Sequence, residues 1–469
     1  MVRKTKIIAT VGPSVFSEQK IHKLIESGVD VLRLNFSHGS YEDHKNVIEW
    51  CRSSDRNIAI MQDIQGPKIR TGRAKKDTNL EKSKTLKVVN NEQESNSECV
   101  YINYADLGRD INIGDRIFID DGQVVLKVTE KKDDCLEAMV LVGGELRDNQ
   151  GVAFPDSNLS VSAITEKDKK DLIFGTEHNI DFVAVSFVRS AEDIEVVRKL
   201  IPKEVKVIAK IELKSALDNI EEIVEAADGV MVARGDLGVQ LPLEQIPFVQ
   251  KHILDTANSQ GKITITATEM LQSMKTAFRP TRAEVTDITN AILEGSDAVM
   301  LSAETSIGNH PNRVVEVMAL ICKETDSRND TTTLQVKEFS KIDTVTTSLA
   351  RAAVEIANEI QAKSIVAFTE SGRTPLLISN YRPESPIICF TTKERTFYQL
   401  NILWGVKKVK IEPQNTFIEM LNLANDFLIQ EENYNIGDKV VVVAGTPPNV
   451  EASTNLIRVY VVGENKWDN

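Results

Sequence analysis

Eight runs of apolar residues recur along the chain: 6–13 (KIIATVGP), 29–37 (VDVLRLNFS), 57–65 (NIAIMQDIQ), 181–189 (DFVAVSFVR), 205–212 (VKVIAKIE), 228–236 (DGVMVARGD), 262–270 (KITITATEM) and 297–305 (DAVMLSAET). Each is too short for a helix and too uniformly apolar for a half-exposed strand, so each reads as a strand buried on both faces. Between them, segments such as SEQKIHKLIESG, SAEDIEVVRKLI and LEQIPFVQKHILDTANSQG space apolar residues by three and four, as helices do. Eight such alternations predict a closed (β/α)8 barrel, a TIM barrel, within the α/β class. The alternation breaks after the third unit. Over 71–156, short alternating strands around Asp121-Gly122 and Gly143-Gly144 predict a small β-barrel lid domain. The barrel then comprises 1–70 and 157–330. After a polar connection (DSRNDTTTLQ), a helix and four strand-like runs predict a C-terminal α/β domain over 338–469.

Barrel chemistry gathers at the C-terminal strand ends, and the out-of-character residues stand there. Arg33, Asn35 and Ser37 share one face of the second strand. Asp63 ends the third, with Lys68 and Arg70 beyond it. Lys210 and Glu212 close the fifth, Asp236 the sixth, Thr268 the seventh and Glu304 the eighth. Glu212 and Asp236 are hard oxygen donors for a divalent cation that keeps waters and shares substrate oxygens. Lys210 shares a strand face with Glu212, and Arg33 and Arg70 offer planar donors to phosphate. The set suits phosphoryl transfer, which depends on positioning and charge neutralisation. An exposed strand-end salt bridge is the bland alternative for any one of them; their coincidence on one rim is the argument.

Composition narrows the picture. The chain has 469 residues and a net charge of −13, with no segregated basic patch, which argues against a nucleic-acid partner. Five scattered cysteines and six histidines show no zinc-site or disulfide spacing. No run of about 18 apolar residues predicts a membrane span. The opening MVRKTKIIATVGPSV lacks a signal-peptide core, so a cytoplasmic location and no membrane partner are expected.

In order along the chain, TKIIATVGPSV, RLNFSHG, GPKIRTG, KIE, ARGDLG, ATEMLQSM and VMLSAET closely resemble the pyruvate kinase family. The resemblance implies transfer of the phosphoryl group of phosphoenolpyruvate to ADP, giving ATP and pyruvate, with Mg2+ or Mn2+, in a homotetramer. It implies that Lys210 stabilises the transferring phosphoryl group and the developing enolate, and that Glu212 and Asp236 hold the metal. Gly235, Asp236 and Thr268 would bind the substrate carboxylate, with Thr268 near the proton donor. Arg33 and Arg70 would contact phosphoryl and nucleotide, with Asn35 and His38 beside the nucleotide. Many members read Asp-Thr-Lys-Gly-Pro-Glu at the third strand and bind K+ there; here the run is DIQGPK. Lys68 is expected to supply the charge of K+ beside Asn35, Ser37 and Asp63, so that K+ is not required. The segment DNQGVAFPD lacks the lysines usual at the end of the lid, which leaves lid contacts to the nucleotide open.

In FTESGRTPLL, Thr369, Ser371, Gly372, Arg373 and Thr374 offer hydroxyls and amides at a helix start. The family places a phosphorylated activator at this turn. Glu370 favours a monophosphate, AMP or a sugar monophosphate, over fructose-1,6-bisphosphate. Two other readings stay open: a metal-dependent lyase or aldolase on a phosphoenolpyruvate-type barrel, and a non-catalytic metabolite-binding protein.

Overall fold

The computed structural model describes residues 3–132, 134–328, 344–448 and 454–464. Eight parallel strands close into a barrel in sequence order: β1 (Lys6–Thr10), β2 (Val31–Asn35), β3 (Ala59–Ile64), β4 (Phe182–Val185), β5 (Lys206–Ile211), β6 (Gly229–Ala233), β7 (Ile263–Ala267) and β8 (Ala298–Leu301). Side-chain alternation sorts each strand. Leu32, Leu34, Val207 and Ala209 face the surrounding helices. Ile8, Val31, Met61, Ile208, Met231 and Ile265 fill the interior. The same inward parity carries Arg33, Asp63 and Lys210 to the C-terminal mouth of the barrel. Helices between the strands begin at capping boxes where the sequence supplies a hydroxyl and an acid three residues on, as at Ser40/Asp43, Thr165/Asp168 and Thr281/Glu284.

Between β3 and β4 the chain builds the lid. Its six-stranded sheet runs from Thr85–Val89 to Val152–Ala153, with a two-stranded ribbon beside it, over a core that includes Leu86, Val100, Ile117, Leu126 and Phe154. The C-terminal domain is a five-stranded sheet in the order β11-β10-β9-β12-β13: β9 (Ser364–Phe368), β10 (Ile387–Thr391), β11 (Val406–Lys410), β12 (Lys439–Ala444) and β13 (Leu456–Val461). The last strand, antiparallel to β12, was not expected from the sequence. The barrel interior and one face of this domain form a single apolar cluster, through Leu400, Ile402 and Leu403. The domain therefore seats on the N-terminal mouth of the barrel.

The helix Pro311–Arg328 runs three residues into the stretch expected to be a polar connection. Asp326 explains the extension: its carboxylate accepts from Lys4 N, Thr5 N, Thr5 Oγ1 and Trp404 Nε1 at 2.7, 2.9, 2.7 and 3.3 Å. Residues 329–335 of that connection lie outside the described residues. Among the described residues, no helix is long and apolar enough to cross a membrane.

Candidate active site

At the C-terminal mouth the inward residues of β1 to β5 meet. The Lys210 ammonium lies 2.8 Å from Glu212 Oε1 and 3.2 Å from Asp63 Oδ1, and donates to Ser186 Oγ at 2.7 Å. Arg33 closes the other side, giving Nε to Asp63 Oδ2 at 2.7 Å and Nη1 to Thr10 Oγ1 at 2.9 Å. Glu212 Oε2 accepts the Phe187 amide at 2.8 Å. The side chains of Thr10, Arg33, Asp63, Ser186, Lys210 and Glu212 are all nearly or fully buried.

Burial alone would pull the Lys210 ammonium down, but Asp63 and Glu212 outweigh it and hold it above the ordinary lysine range. Burial also raises Asp63, yet Arg33 and Lys210 bring it below the usual carboxylate range. Glu212 goes the other way. Burial pushes it up to about 7, Asp236 adds to the rise, and Lys210 only partly opposes it. A carboxylate destabilised by burial beside a second carboxylate is a place where added positive charge is favourable.

Asp236 sits in the first turn of the helix Arg234–Gln240, exposed to the cleft. It lines, with Glu212, Lys68 and the lid's Asp121, a cleft of about 520 Å3 between lid and barrel mouth. Thr268 follows β7 at φ 67°, a strained conformation for a β-branched residue and one that concentrates at functional sites. Its hydroxyl accepts the Gly235 amide at 2.8 Å and donates to Ala267 O at 2.6 Å, while Arg234 Nη2 holds its carbonyl at 2.8 Å. Gly235, Asp236 and Thr268 thus form one corner of the rim.

The loop after β3 turns at Gly66, whose φ of 66° and closeness to Phe187 (2.9 Å from an added Cβ) leave no room for a side chain. That turn sends Lys68 and Arg70 under the lid. Lys68 lines the cleft, where partial desolvation and Arg70 lower its ammonium from the ordinary value, against Asp236 and Asp121. Arg70 donates to Asn149 O at 3.1 Å across the lid's base. Asn35 Oδ1 accepts the Ser37 amide at 3.1 Å, and His38 is held below its ordinary value by burial and by Lys68, Arg70 and Arg33.

The structure brings together Arg33, Asp63, Lys210 and Glu212, and sets Lys68 toward Asp236 and Asp121. Glu304 does not join them. It is fully buried and accepts the Leu271 and Ser302 amides at 3.1 and 2.7 Å, a loop-fixing role. Sequence reasoning missed Thr10, Ser186 and Arg234. Ser186 was findable, because it continues the inward parity of Phe182 and Ala184.

Among the described residues no group of three or more His, Cys, Asp or Glu is placed to enclose a metal ion. Glu212 and Asp236 are a two-carboxylate, open donor set. That fits a hard cation whose remaining positions go to water and substrate oxygens.

In the C-terminal domain, Gly372 (φ 80°) turns the chain into the helix Arg373–Asn380. Thr369 Oγ1 accepts the Gly372 amide at 3.0 Å, and Thr374 Oγ1 lies 2.6 Å from Thr454 Oγ1. Glu370 accepts from Thr392 at 2.6 Å. Ser371 and Arg373 are exposed.

Family profiles described as pyruvate kinase, barrel domain, and pyruvate kinase, alpha/beta domain, match residues 2–315 and 347–460. The pyruvate kinase of Corynebacterium glutamicum is 40% identical over 475 residues, covering 99% of this chain and 98% of that protein. That of Mycobacterium tuberculosis is 40% identical over 473 residues, 99% of both. The crystal structure of a pyruvate kinase from Cryptosporidium parvum matches with a TM-score of 0.93 at 35% identity, covering 98% of this chain and 96% of that one. A match along the whole chain selects the phosphotransferase over the lyase, aldolase and non-catalytic readings. The chain belongs to the pyruvate kinase family.

Proposed function

We propose that the family's reaction, phosphoryl transfer from phosphoenolpyruvate to ADP to give ATP and pyruvate, runs in this chain on the rim formed by Arg33, Lys210, Glu212, Asp236 and Thr268. The observation that carries the proposal is Lys210, buried, 2.8 Å from Glu212 and 3.2 Å from Asp63 at the mouth of the cleft. Two carboxylates keep its ammonium charged, so it can donate to the transferring phosphoryl oxygens and to the enolate oxygen left behind. Arg33, fixed by Asp63 and Thr10, presents its remaining donors to phosphate. The Gly235 and Asp236 amides and the Thr268 hydroxyl would orient the substrate carboxylate, and Thr268 would place the proton that converts enolpyruvate to pyruvate. Arg70, Asn35 and His38 would contact the nucleotide.

The family is metal-dependent, and we assign Glu212 and Asp236 as ligands of Mg2+ (or Mn2+). The bound cation neutralises phosphoryl and enolate oxygens. K+ is not needed in this reading. Asp63 already has Arg33 and Lys210, and Lys68 adds a tethered charge. Two unit charges about 4 Å apart interact by roughly 4 kcal/mol at an effective dielectric near 20, enough for a lysine ammonium drawn that close to replace a bound ion. A phosphorylated activator at Thr369 and Ser371–Thr374, a monophosphate given Glu370, is proposed to regulate the enzyme. A homotetramer in the cytoplasm is proposed as well. Leu243, just before the helix Ile246–Ser259, and Phe248 in its first turn, 75% and 77% exposed, and the open edge of β13 are surfaces that a second copy would cover.

A coupled pyruvate assay tests the core claim: ADP-dependent pyruvate formation that requires Mg2+. No turnover with all substrates present would end the reading. Assayed in potassium-free tetramethylammonium buffer, the rate should stay within about two-fold on adding KCl; strong stimulation would remove Lys68 from its role.

A further inference from the structure

Asn35, His38 and Arg70, the side chains given above to the nucleotide, stand where the barrel stops fixing the chain. Asn35 is the last residue of β2, and His38 and Arg70 lie beyond the ends of β2 and β3. Past a strand end the backbone groups need partners outside the ladder. Phe36 still gives its amide to Asp63 O at 3.0 Å, and the Asn35 side chain takes the Ser37 amide at 3.1 Å. Beyond that, one helical turn reaches both loops.

Lys167, in the first turn of the helix Glu166–Glu177, donates Nζ to Phe36 O at 2.7 Å and to Asp171 Oδ2 at 2.6 Å. Asp171 is fully buried, and its Oδ1 accepts the hydroxyl of Tyr41, which opens the helix after the loop, at 2.8 Å. The Phe36 ring stacks on His44 at 4.0 Å, and His44 Nε2 lies 3.1 Å from His38 O. Asp168, also fully buried, divides its carboxylate. Oδ2 caps its own helix through the Thr165 amide and hydroxyl at 2.8 and 2.6 Å, and Oδ1 accepts the Gly66 amide at 3.1 Å. Starting the helix needs only the first of these uses. An ordinary ion pair on the same turn, Lys169 with Glu166, is exposed at both ends. Lys167 instead orders a long side chain, at up to about 2 kcal/mol of entropy, over a buried carboxylate and a carbonyl 131 residues away.

We infer that Lys167 is a positioning residue for the nucleotide: by holding the Phe36 carbonyl against Asp171 it sets the loop that carries Asn35 and His38. The inference rests on the nucleotide contacts proposed above for those two residues. The phosphoenolpyruvate half of the rim is independent of this brace. Arg33 lies within β2 and is fixed by Asp63 and Thr10, and Lys210 and Thr268 stand on β5 and after β7. Loosening the brace therefore displaces one substrate's contacts and leaves the other's in place.

Steady-state kinetics of the full-length enzyme test the inference. Lys167→Gln should raise the KM for ADP about ten-fold, with kcat and the KM for phosphoenolpyruvate each within about three-fold of wild type. Lys167→Arg, which keeps the charge and can reach the same carbonyl, should recover most of the loss, and the exposed Lys169→Met should change nothing beyond about two-fold. Lys167→Gln takes the cation from a buried carboxylate, so its thermal melt is recorded. If it does not fold, Tyr41→Phe decides alone, with an expected rise of about three-fold in the KM for ADP only. An unchanged KM for ADP in the folded variant, or an equal rise for both substrates, overturns the inference. Asn35→Ala tells which reading has failed. If it raises the KM for ADP while Lys167→Gln does not, the positioning role alone falls; if neither does, the nucleotide contacts fall and take the positioning role with them.

Discussion

The two mouths of the barrel carry similar residues and use them in opposite ways. At the N-terminal mouth, an aspartate stands one residue before each even strand: Asp30, Asp181, Asp228 and Asp297. Each reaches back to the amide of the second residue of the preceding odd strand, Ile7, Ile60, Val207 and Thr264, at 2.8, 2.8, 2.8 and 2.9 Å. Each also holds an arginine: Arg3, Arg52, Arg198 and Arg382. The arrangement repeats four times, carboxylate to backbone and to guanidinium. At the C-terminal mouth nothing repeats. Asp63 and Glu212 share one lysine, and Glu212 is driven up toward neutrality by its burial and by Asp236. Charges matched in place hold strands in register; charges shared and left unbalanced are free to serve the proposed chemistry.

The largest effect should come from the shared lysine. Lys210→Met is expected to lower the rate of pyruvate formation at least about 10³-fold, roughly 4 kcal/mol of transition-state stabilisation. The variant should still melt cooperatively, because Glu212 can take a proton once its partner is gone. Activity within ten-fold of wild type would erase the distinction between the mouths.

Much of the catalytic mouth is legible in the sequence, and what is not has physical reasons. Inward parity alone puts Arg33, Lys210 and Glu212 on the cavity face, because strand alternation is a local property. Their partners are not local. Asp63 meets Lys210 only because β3, β4 and β5 close side by side, and no spacing in the sequence encodes a 147-residue separation. The expected strands overrun the observed ones where apolar residues continue past the strand. β4 stops at Val185 with Phe187 at φ 55°, and β7 stops at Ala267 with Thr268 and Glu269 at φ 67° and 55°. Those turned residues build the site. The aspartates at the N-terminal mouth stand in plain view at the head of DVL, DFV, DGV and DAV, but their role depends on the amide of a neighbouring strand.

The second effect belongs to the matched mouth. Arg382→Met breaks a pair whose side chains are 4% and 0% exposed, and should cost about 3 kcal/mol of stability in urea unfolding. Catalysis by the folded protein should fall less than three-fold. Arg3→Met, whose pair is 15% and 16% exposed, should cost nearer 1 kcal/mol. Equal losses would show that burial does not grade these pairs, and a large loss of turnover in Arg382→Met would couple the mouths more tightly than the contrast allows.

A smaller effect sharpens the catalytic side. Glu212→Gln keeps size and the Phe187 contact but removes a hard anionic donor. The Mg2+ concentration for half-maximal rate should rise about ten- to a hundred-fold, with the melting temperature within a few degrees of wild type. An unchanged Mg2+ requirement would take Glu212 out of the metal site and leave it as a counter-charge for Lys210.

The last effect is one of pH and concerns Lys408, the exception at the matched mouth. Among the described residues no aspartate contacts its ammonium; it donates to Asn57 O and lies 4.1 Å from the Phe397 ring. Burial lowers it to about 7, Lys6 pushes the same way, and Asp181 opposes only in part. An unfolded lysine holds its proton to about pH 10.4. Between about 7 and 10 the unfolded chain therefore binds a proton that the folded chain has released, and this group's contribution to stability rises with pH. Lys408→Met removes the dependence. The variant should melt above wild type at pH 6.5, and the gap should close as the pH approaches 9.5. A gap of constant size would mean that the folded protein keeps Lys408 charged throughout, with the carbonyl of Asn57 and the ring of Phe397 enough to hold an unmatched cation at the matched mouth.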